Sequence, residues 1–161
     1  DITNNMVLPF LDRHSWFSFL KPKNLERKAN VSISELGIVC QSELDLVTTL
    51  SGGNQQKVMI GRWLSEKSEV LLLDEPFQGV DIKARRDIGS QIRQSSKDRA
   101  TLVFVAELDE AVEIADKIVV LHEGSYTGTF ENKENNIADI LSLYSGKPSE
   151  TLAEARGSLN G

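Results

Sequence analysis

Two stretches of this 161-residue chain have residue types and spacing that could do chemistry. The first is Leu50-Ser51-Gly52-Gly53-Asn54-Gln55-Gln56-Lys57. A Ser followed by two glycines and an apolar-periodic stretch is a helix start, with Ser51 as its N-cap. Free N–H groups at such a start favour an anion, and glycines let it approach the backbone closely. The second is Val70-Leu71-Leu72-Leu73-Asp74-Glu75-Pro76. A short continuous apolar run reads as a strand buried on both faces, here ending in adjacent carboxylates. Ligands of open α/β sheets bind outside the carboxyl ends of the strands. There Asp74 would hold Mg²⁺ and Glu75 would polarise an attacking water. Taken singly, the two stretches also fit a plain capped helix and a strand with an acidic turn.

The elements around them follow from periodicity. Met59 and Trp63 lie four apart, as do Ile60 and Leu64, which predicts an amphipathic helix through about Ser65. Gln78-Gly79-Val80-Asp81 is a turn with Asp81 as the cap of the next helix, whose inner face carries Ala84, Ile88 and Ile92. Strands are expected at 69–73, 101–105, 117–121 and 126–130, and helices at 82–96, 108–115 and 136–144. Gly124 and Gly128 bracket a hairpin between the last two strands, and Ile137, Ile140 and Leu141 face the last helix inward. The first 49 residues are helical with breaks, including a helix through Leu36 and an apolar cluster of Trp16, Phe17, Phe19 and Leu20. That cluster suits core packing of a small helical subdomain, or docking of a membrane partner. The expected organisation is a helical subdomain with the glycine-led helix over 1–65, an α/β core over 66–147 and a weakly ordered tail over 148–161.

In order and spacing, these segments resemble the signature motif, Walker B motif and D-loop of ATP-binding-cassette (ABC) ATPases. The Asn54-Gln55-Gln56-Lys57 ending resembles ATP-binding subunits of bacterial sugar importers of the ribose/galactose/xylose and autoinducer-2 type. Asn5–Pro9, Leu11–Arg13 and Ile118–Gly124 resemble parts of the second cassette of those proteins. The resemblance covers about residues 1–147. It implies an incomplete P-loop NTPase cassette: an α/β fold with a parallel-type core sheet, an N-terminal helical subdomain, and a C-terminal β-hairpin and helix. It also implies that Ser51, Gly52 and Gly53, with Gln56 and Asp81, serve ATP held by a paired cassette. Asp74 becomes the metal ligand and Glu75 the catalytic carboxylate. Further implied partners are transmembrane permease subunits and, indirectly, a periplasmic sugar-binding protein. The place implied is the cytoplasmic face of the bacterial inner membrane.

The chain departs from that family twice. A phosphate loop needs Gly, four residues, then Gly-Lys and Ser or Thr. The one Gly-Lys here, Gly146-Lys147, is followed by Pro148 and has Leu141 where the first Gly belongs. The missing part of the sheet should leave an open edge. Alignment on Leu108-Asp109-Glu110 also places Ala106 where most of the family has a switch histidine. His122, at the end of a later strand, reads as a turn residue. On this reading the chain alone binds ATP poorly and hydrolyses it negligibly.

The formal net charge of −6 argues against a nucleic-acid binder. Lys83, Arg85 and Arg86 read as a solvated helix face or a contact with nucleotide or a neighbouring cassette. Cys40 is the single cysteine, so no intrachain disulfide forms. No apolar run approaches the roughly 18 residues of a membrane span. Asp1, rather than Met, at the start suits a fragment. Two other readings compete: a truncated, non-catalytic cassette acting as an interaction module, and part of an ABC protein of translation or DNA repair.

Overall fold

The computed structural model describes residues 1–8, 22–64 and 68–146. The Trp16–Leu20 cluster and the tail over 148–161 therefore lie outside the described residues. The chain divides into two compact units, Asp1–Ala106 and Glu107–Gly161. The division places the 66–106 core elements with the helical segments that precede them.

The first unit runs α1 (Ile2–Val7), α2 (Pro22–Leu36), a single 3₁₀ turn (Val47–Thr49), α3 (Gly52–Leu64), β1 (Val70–Asp74), α4 (Ile82–Ser95) and β2 (Ala100–Phe104). Ile2, Met6, Leu36, Ile38 and Val58 form its helical core, with Ile33, Cys40, Val47, Leu50 and Leu64 packed against them. Helix α2 stops where Gly37 turns left-handed at φ +58°. The Ile38 N–H then reaches back to the Ile33 carbonyl and the Gly37 N–H to Ser34, which satisfies the last carbonyls as in a Schellman cap.

Helix α3 is the hub of this unit. Of the two stripes that its periodicity offered, Ile60 is buried and Leu64 half-buried, whereas Met59 and Trp63 are exposed. Gly61 explains the choice. A side chain there would run into Leu36 Cδ1 and sit 3.0 Å from Met6 Cε, so its absence lets α1 and α2 close onto that side of α3. Lys57, 5 % exposed, projects inward from α3. Its Nζ donates to Asp87 Oδ2 on α4 at 2.7 Å and to the Gly37 carbonyl at 3.1 Å. One ammonium thus joins α2, α3 and α4. Helix α4 follows its pattern, with Ala84, Ile88 and Ile92 buried.

Strands β1 and β2 pair in parallel, Val70 with Ala100 through Asp74 with Phe104. Leu71 and Leu73 are buried, but Val70 and Leu72 are exposed. The expectation that this strand is buried on both faces therefore fails in this chain. Leu102 and Phe104 of β2 are exposed as well, so among the described residues no layer covers that side of the pair.

The second unit holds α5 (Leu108–Ile114), β3 (Lys117–His122), β4 (Ser125–Glu131), a 3₁₀ turn (Glu134–Asn136) and α6 (Ile137–Tyr144). Ile118, Val120 and Ile140 make its core, joined by Leu108, Phe130, Ile137 and Leu143. β3 and β4 form the expected hairpin. Its two-residue loop, Glu123-Gly124, has positive φ at both positions, as a type I′ turn requires. The register shifts between Val120 and Leu121, and the Thr127 hydroxyl donates to the Val120 carbonyl at that irregularity. Leu141, expected on the inner face of α6, is exposed. Asn132 closes the end of α5 by donating to the Val112 and Ala115 carbonyls.

The packing around α3 generates three stability predictions. Replacing the buried ammonium by Lys57→Met should cost about 2–3 kcal/mol. Asp87→Asn leaves the ammonium buried without its counter-charge and should cost more, about 3–5 kcal/mol. Gly61→Ala should cost about 1–2 kcal/mol through overpacking against Leu36 and Met6. Urea unfolding followed by far-ultraviolet circular dichroism measures all three; equal losses for Lys57→Met and Asp87→Asn would contradict the asymmetry in burial.

Candidate functional site

The start of α3 is held by its own polar side chains. The Ser51 carbonyl accepts from the Gln55 N–H at 2.9 Å, while Ser51 Oγ accepts from Asn54 Nδ2. Asn54 Oδ1 takes the Val39 N–H at 2.9 Å, and Gln55 Nε2 reaches the Leu50 carbonyl. Ser51 and Gly52 stay exposed and Gly53 is half-buried. This leaves glycine backbone at the surface on a helix N-terminus, as an anion-binding start requires. Gly53 also lies close against the next segment: a Cβ on it would come within 3.1 Å of Ala84 Cβ and 4.0 Å of Asp81 Oδ2. A Cβ on Gly52 would meet the Gly79 carbonyl at 3.8 Å, an ordinary contact.

Asp74 is the last residue of β1 and is exposed. Glu75 follows with a left-handed backbone, φ 46°, uncommon for a residue with a side chain. Such a conformation costs about 1–3 kcal/mol and persists only where its surroundings enforce it. Here the Glu75 N–H donates to the Phe104 carbonyl of β2 at 3.0 Å, and the Glu75 carbonyl accepts from Gln78. Buried Pro76 and Phe77 fix the turn from below.

The two half-sites are tied together. Gln56 Nε2 donates to the Pro76 carbonyl at 2.9 Å, bridging α3 to the carboxylate turn. Asp81 caps α4, with Oδ1 accepting the Ala84 N–H at 2.8 Å, in keeping with its expected cap role. Ser51, Gly52, Gly53, Gln56, Asp74, Glu75 and Asp81 thus all belong to the first unit. The local sequence carried no signal for the Gln56–Pro76 bond or for the ammonium of Lys57, because their partners lie 20 and 30 residues away. Arg99 was missed for the same reason: its guanidinium donates to the Trp63 and Leu64 carbonyls and closes the far end of α3.

Other features lie elsewhere. A cavity of about 760 Å³ is lined by Leu36, Gly61, Leu64, Glu69 and Arg99, at the end of β1 opposite Asp74. His122, half-buried at the end of β3, packs against Gly146, whose missing Cβ would lie 2.7 Å from His122 Nε2. Ala106 is exposed at the end of the first unit. Among the described residues no cluster of three His, Cys, Asp or Glu side chains could hold a metal. No helix among them is long and apolar enough to cross a membrane.

Comparison with known proteins gives a consistent result. Residues 3–78 match the family described as ABC transporter. The chain is 35% identical over 145 residues to the galactose/methyl galactoside import ATP-binding protein of Fusobacterium nucleatum, an overlap of 89% of this chain and 29% of that protein. It is 37% identical over 129 residues to the arabinose import ATP-binding protein of Shigella boydii, which covers 80% of this chain and 26% of that one. The chain therefore spans under a third of the length of these relatives. In structure it resembles a dimeric ATP-binding cassette in a post-hydrolysis state bound to ADP and Pi. The TM-score is 0.70 at 19% identity, over 82% of this chain and 56% of that one. The expected α/β cassette architecture is thus the observed one, and residues 3–78 carry the ABC transporter domain.

Proposed function

We propose that this chain is the later part of the second cassette in the ATP-binding subunit of a sugar importer, and that it contributes to two composite ATP sites. The bond from Gln56 to the Pro76 carbonyl supports this most directly, because it holds an anion-binding helix start and a carboxylate edge in one body. Ser51, Gly52 and Gly53 face the γ-phosphate of a nucleotide bound by the opposing cassette. Gln56 and Asp81 set that helix start and the turn beside it. Asp74 and Glu75 act on the nucleotide bound by their own cassette.

The chemistry assigned to each group follows from its placement. Mg²⁺ commonly takes one or two carboxylates and completes its shell with phosphate oxygens and water, so a single exposed Asp74 fits it when a nucleotide is present. That ion would neutralise charge on the β- and γ-phosphates. Glu75, held off the strand by its left-handed backbone, orients and accepts a proton from the attacking water. Ala106, at the position of the family's switch histidine, offers no polar atom beyond its backbone, which lowers hydrolysis at this site.

In the cell the subunit would sit at the cytoplasmic face of the bacterial inner membrane, paired with a second cassette and docked on permease subunits. A periplasmic sugar-binding protein would act with it indirectly. The net charge of −6 gives no support to a nucleic-acid partner.

Calorimetry of the 161-residue chain with Mg²⁺ and ATP should show no binding tighter than about 1 mM. Micromolar binding with turnover that Glu75→Gln removes would overturn the assignment of the phosphate cradle to other residues. The positive arm uses the galactose/methyl galactoside import protein of Fusobacterium nucleatum, with its matching segment replaced by this chain. In that chimera, Glu75→Gln should lower ATP turnover about 100-fold or more with nucleotide binding retained. Gly52→Asp has room for its side chain and places a carboxylate on the anion-binding start. It should weaken ATP-dependent closure of the cassettes about tenfold. Unchanged kinetics in both variants would remove these residues from the site.

A further inference from the structure

The cavity of about 760 Å³ in the first unit lies outside the residues assigned to ATP. Helix α2, the far end of α3, the second half of α4 and the residues just before β1 and β2 enclose it. Hydrogen bonds hold its walls. Gln91 Nε2 donates to the Glu35 carbonyl at 2.7 Å and so spans from α4 to α2. Arg99 donates to the Trp63 and Leu64 carbonyls and to Ser68 Oγ, which ties the approach to β2 to the end of α3.

The lining is one-sided in its chemistry. Glu35, Glu69 and Asp98 bring three carboxylates, against the single guanidinium of Arg99. Among the described residues none of these carboxylates has an ion pair or a side-chain hydrogen bond. The lining therefore carries an excess of two negative charges and offers mainly acceptors. Ser32 lines the same cavity and is only 5% exposed. Among the described residues its hydroxyl has no hydrogen-bond partner. Buried polar groups are nearly always bonded, so a hydroxyl in this position takes its partner from whatever fills the cavity. Leu36 and Leu64 add apolar surface to the lining.

These features select a class of ligand. Among the described residues no cluster of three His, Cys, Asp or Glu side chains could hold a metal ion. A neutral polyol would leave the charge excess standing. A short alkyl diammonium ion meets every demand. Each ammonium offers three donors to carboxylate and hydroxyl oxygens, its two charges balance the excess, and its methylenes pack on leucine.

We propose that this cavity binds an aliphatic diamine in its doubly protonated form. Glu35, Glu69 and Asp98 hold the ammonium groups, Ser32 Oγ accepts from one of them, and Leu36 and Leu64 carry the methylene chain. Because α2 and α4 both line the cavity, an occupied cavity braces two of the helices that Lys57 joins. The site uses none of the residues assigned to ATP, so either assignment can fail alone.

Calorimetry of the 161-residue chain with putrescine at low ionic strength should show one site with a Kd of about 1 mM or tighter. Putrescine should also raise the urea midpoint of unfolding. Butylamine, with one charge, should bind at least about tenfold more weakly, and butanediol should not bind measurably. Glu69→Gln combined with Asp98→Asn should weaken putrescine binding about tenfold or more, and Ser32→Ala about threefold or more. Glu69 and Asp98 are exposed, so their substitution tests the site even where Ser32→Ala disturbs packing. Glu134→Gln, an exposed carboxylate of the second unit, should leave the affinity unchanged. Absence of putrescine binding at about 10 mM overturns the proposal. Butanediol or galactose binding as tightly as putrescine overturns it in favour of a polyol site. Equal weakening by Glu134→Gln, or displacement of putrescine by equimolar Mg²⁺, also overturns it, since general counter-ion attraction would then account for the binding.

Discussion

The rest of the first unit depends on one buried ammonium. Lys57 enters an interior that repels an unpaired charge, and the cost of its desolvation is offset only because Asp87 and the Gly37 carbonyl meet it together. The carbonyl belongs to the left-handed end of α2, where helix dipoles concentrate negative potential. The carboxylate belongs to the middle of α4. With α2, α3 and α4 fixed by a single group, the start of α3 has a defined place relative to the cap of α4 and the carboxylate turn. Gln56, one residue earlier, adds the bond to Pro76. Adjacent residues of one helix thus secure the scaffold and the site, and neither needs to touch a substrate to matter.

That arrangement gives the strained carboxylate its context. Glu75 holds a backbone conformation that favours glycine, at the point where β1 gives way to the turn. Its N–H bonded to β2, buried Pro76 and Phe77 beneath, and Gln56 alongside together over-determine that geometry. Glycine would relax the backbone and remove the carboxylate. Strain at this position therefore accompanies the chemistry assigned to it. The same turn carries Asp81, whose carboxylate is engaged in capping α4 and so acts on its surroundings through position.

Much of this was legible in the linear sequence. The apolar run to Asp74, the cap at Asp81 and the Ala84–Ile88–Ile92 stripe are local patterns, and their elements form within a residue or two of expectation. The hairpin was legible because Glu123-Gly124 suits the two positive φ angles of its turn. Harder to see was which of the two stripes on α3 goes inward. Both have helical spacing, and only the close approach of Leu36 and Met6 to Gly61 separates them. Burial of β1 was misjudged for a related reason. An apolar run shows what a strand can bury, but whether a second layer lies over it is settled by packing, which the spacing of one strand does not encode.

By itself the sequence determined the chemistry on offer: a glycine-led helix start for an anion, adjacent carboxylates at a strand end, and no phosphate loop between or before them. These are properties of residue type and spacing, which local backbone preferences turn into caps, turns and strands. Only the tertiary structure decided that Lys57 is buried against Asp87, that Gln56 reaches Pro76, and that Asp74 ends a bare apolar face. Those outcomes join residues far apart along the chain, and their energies arise from desolvation and packing, which spacing along one strand or helix does not encode.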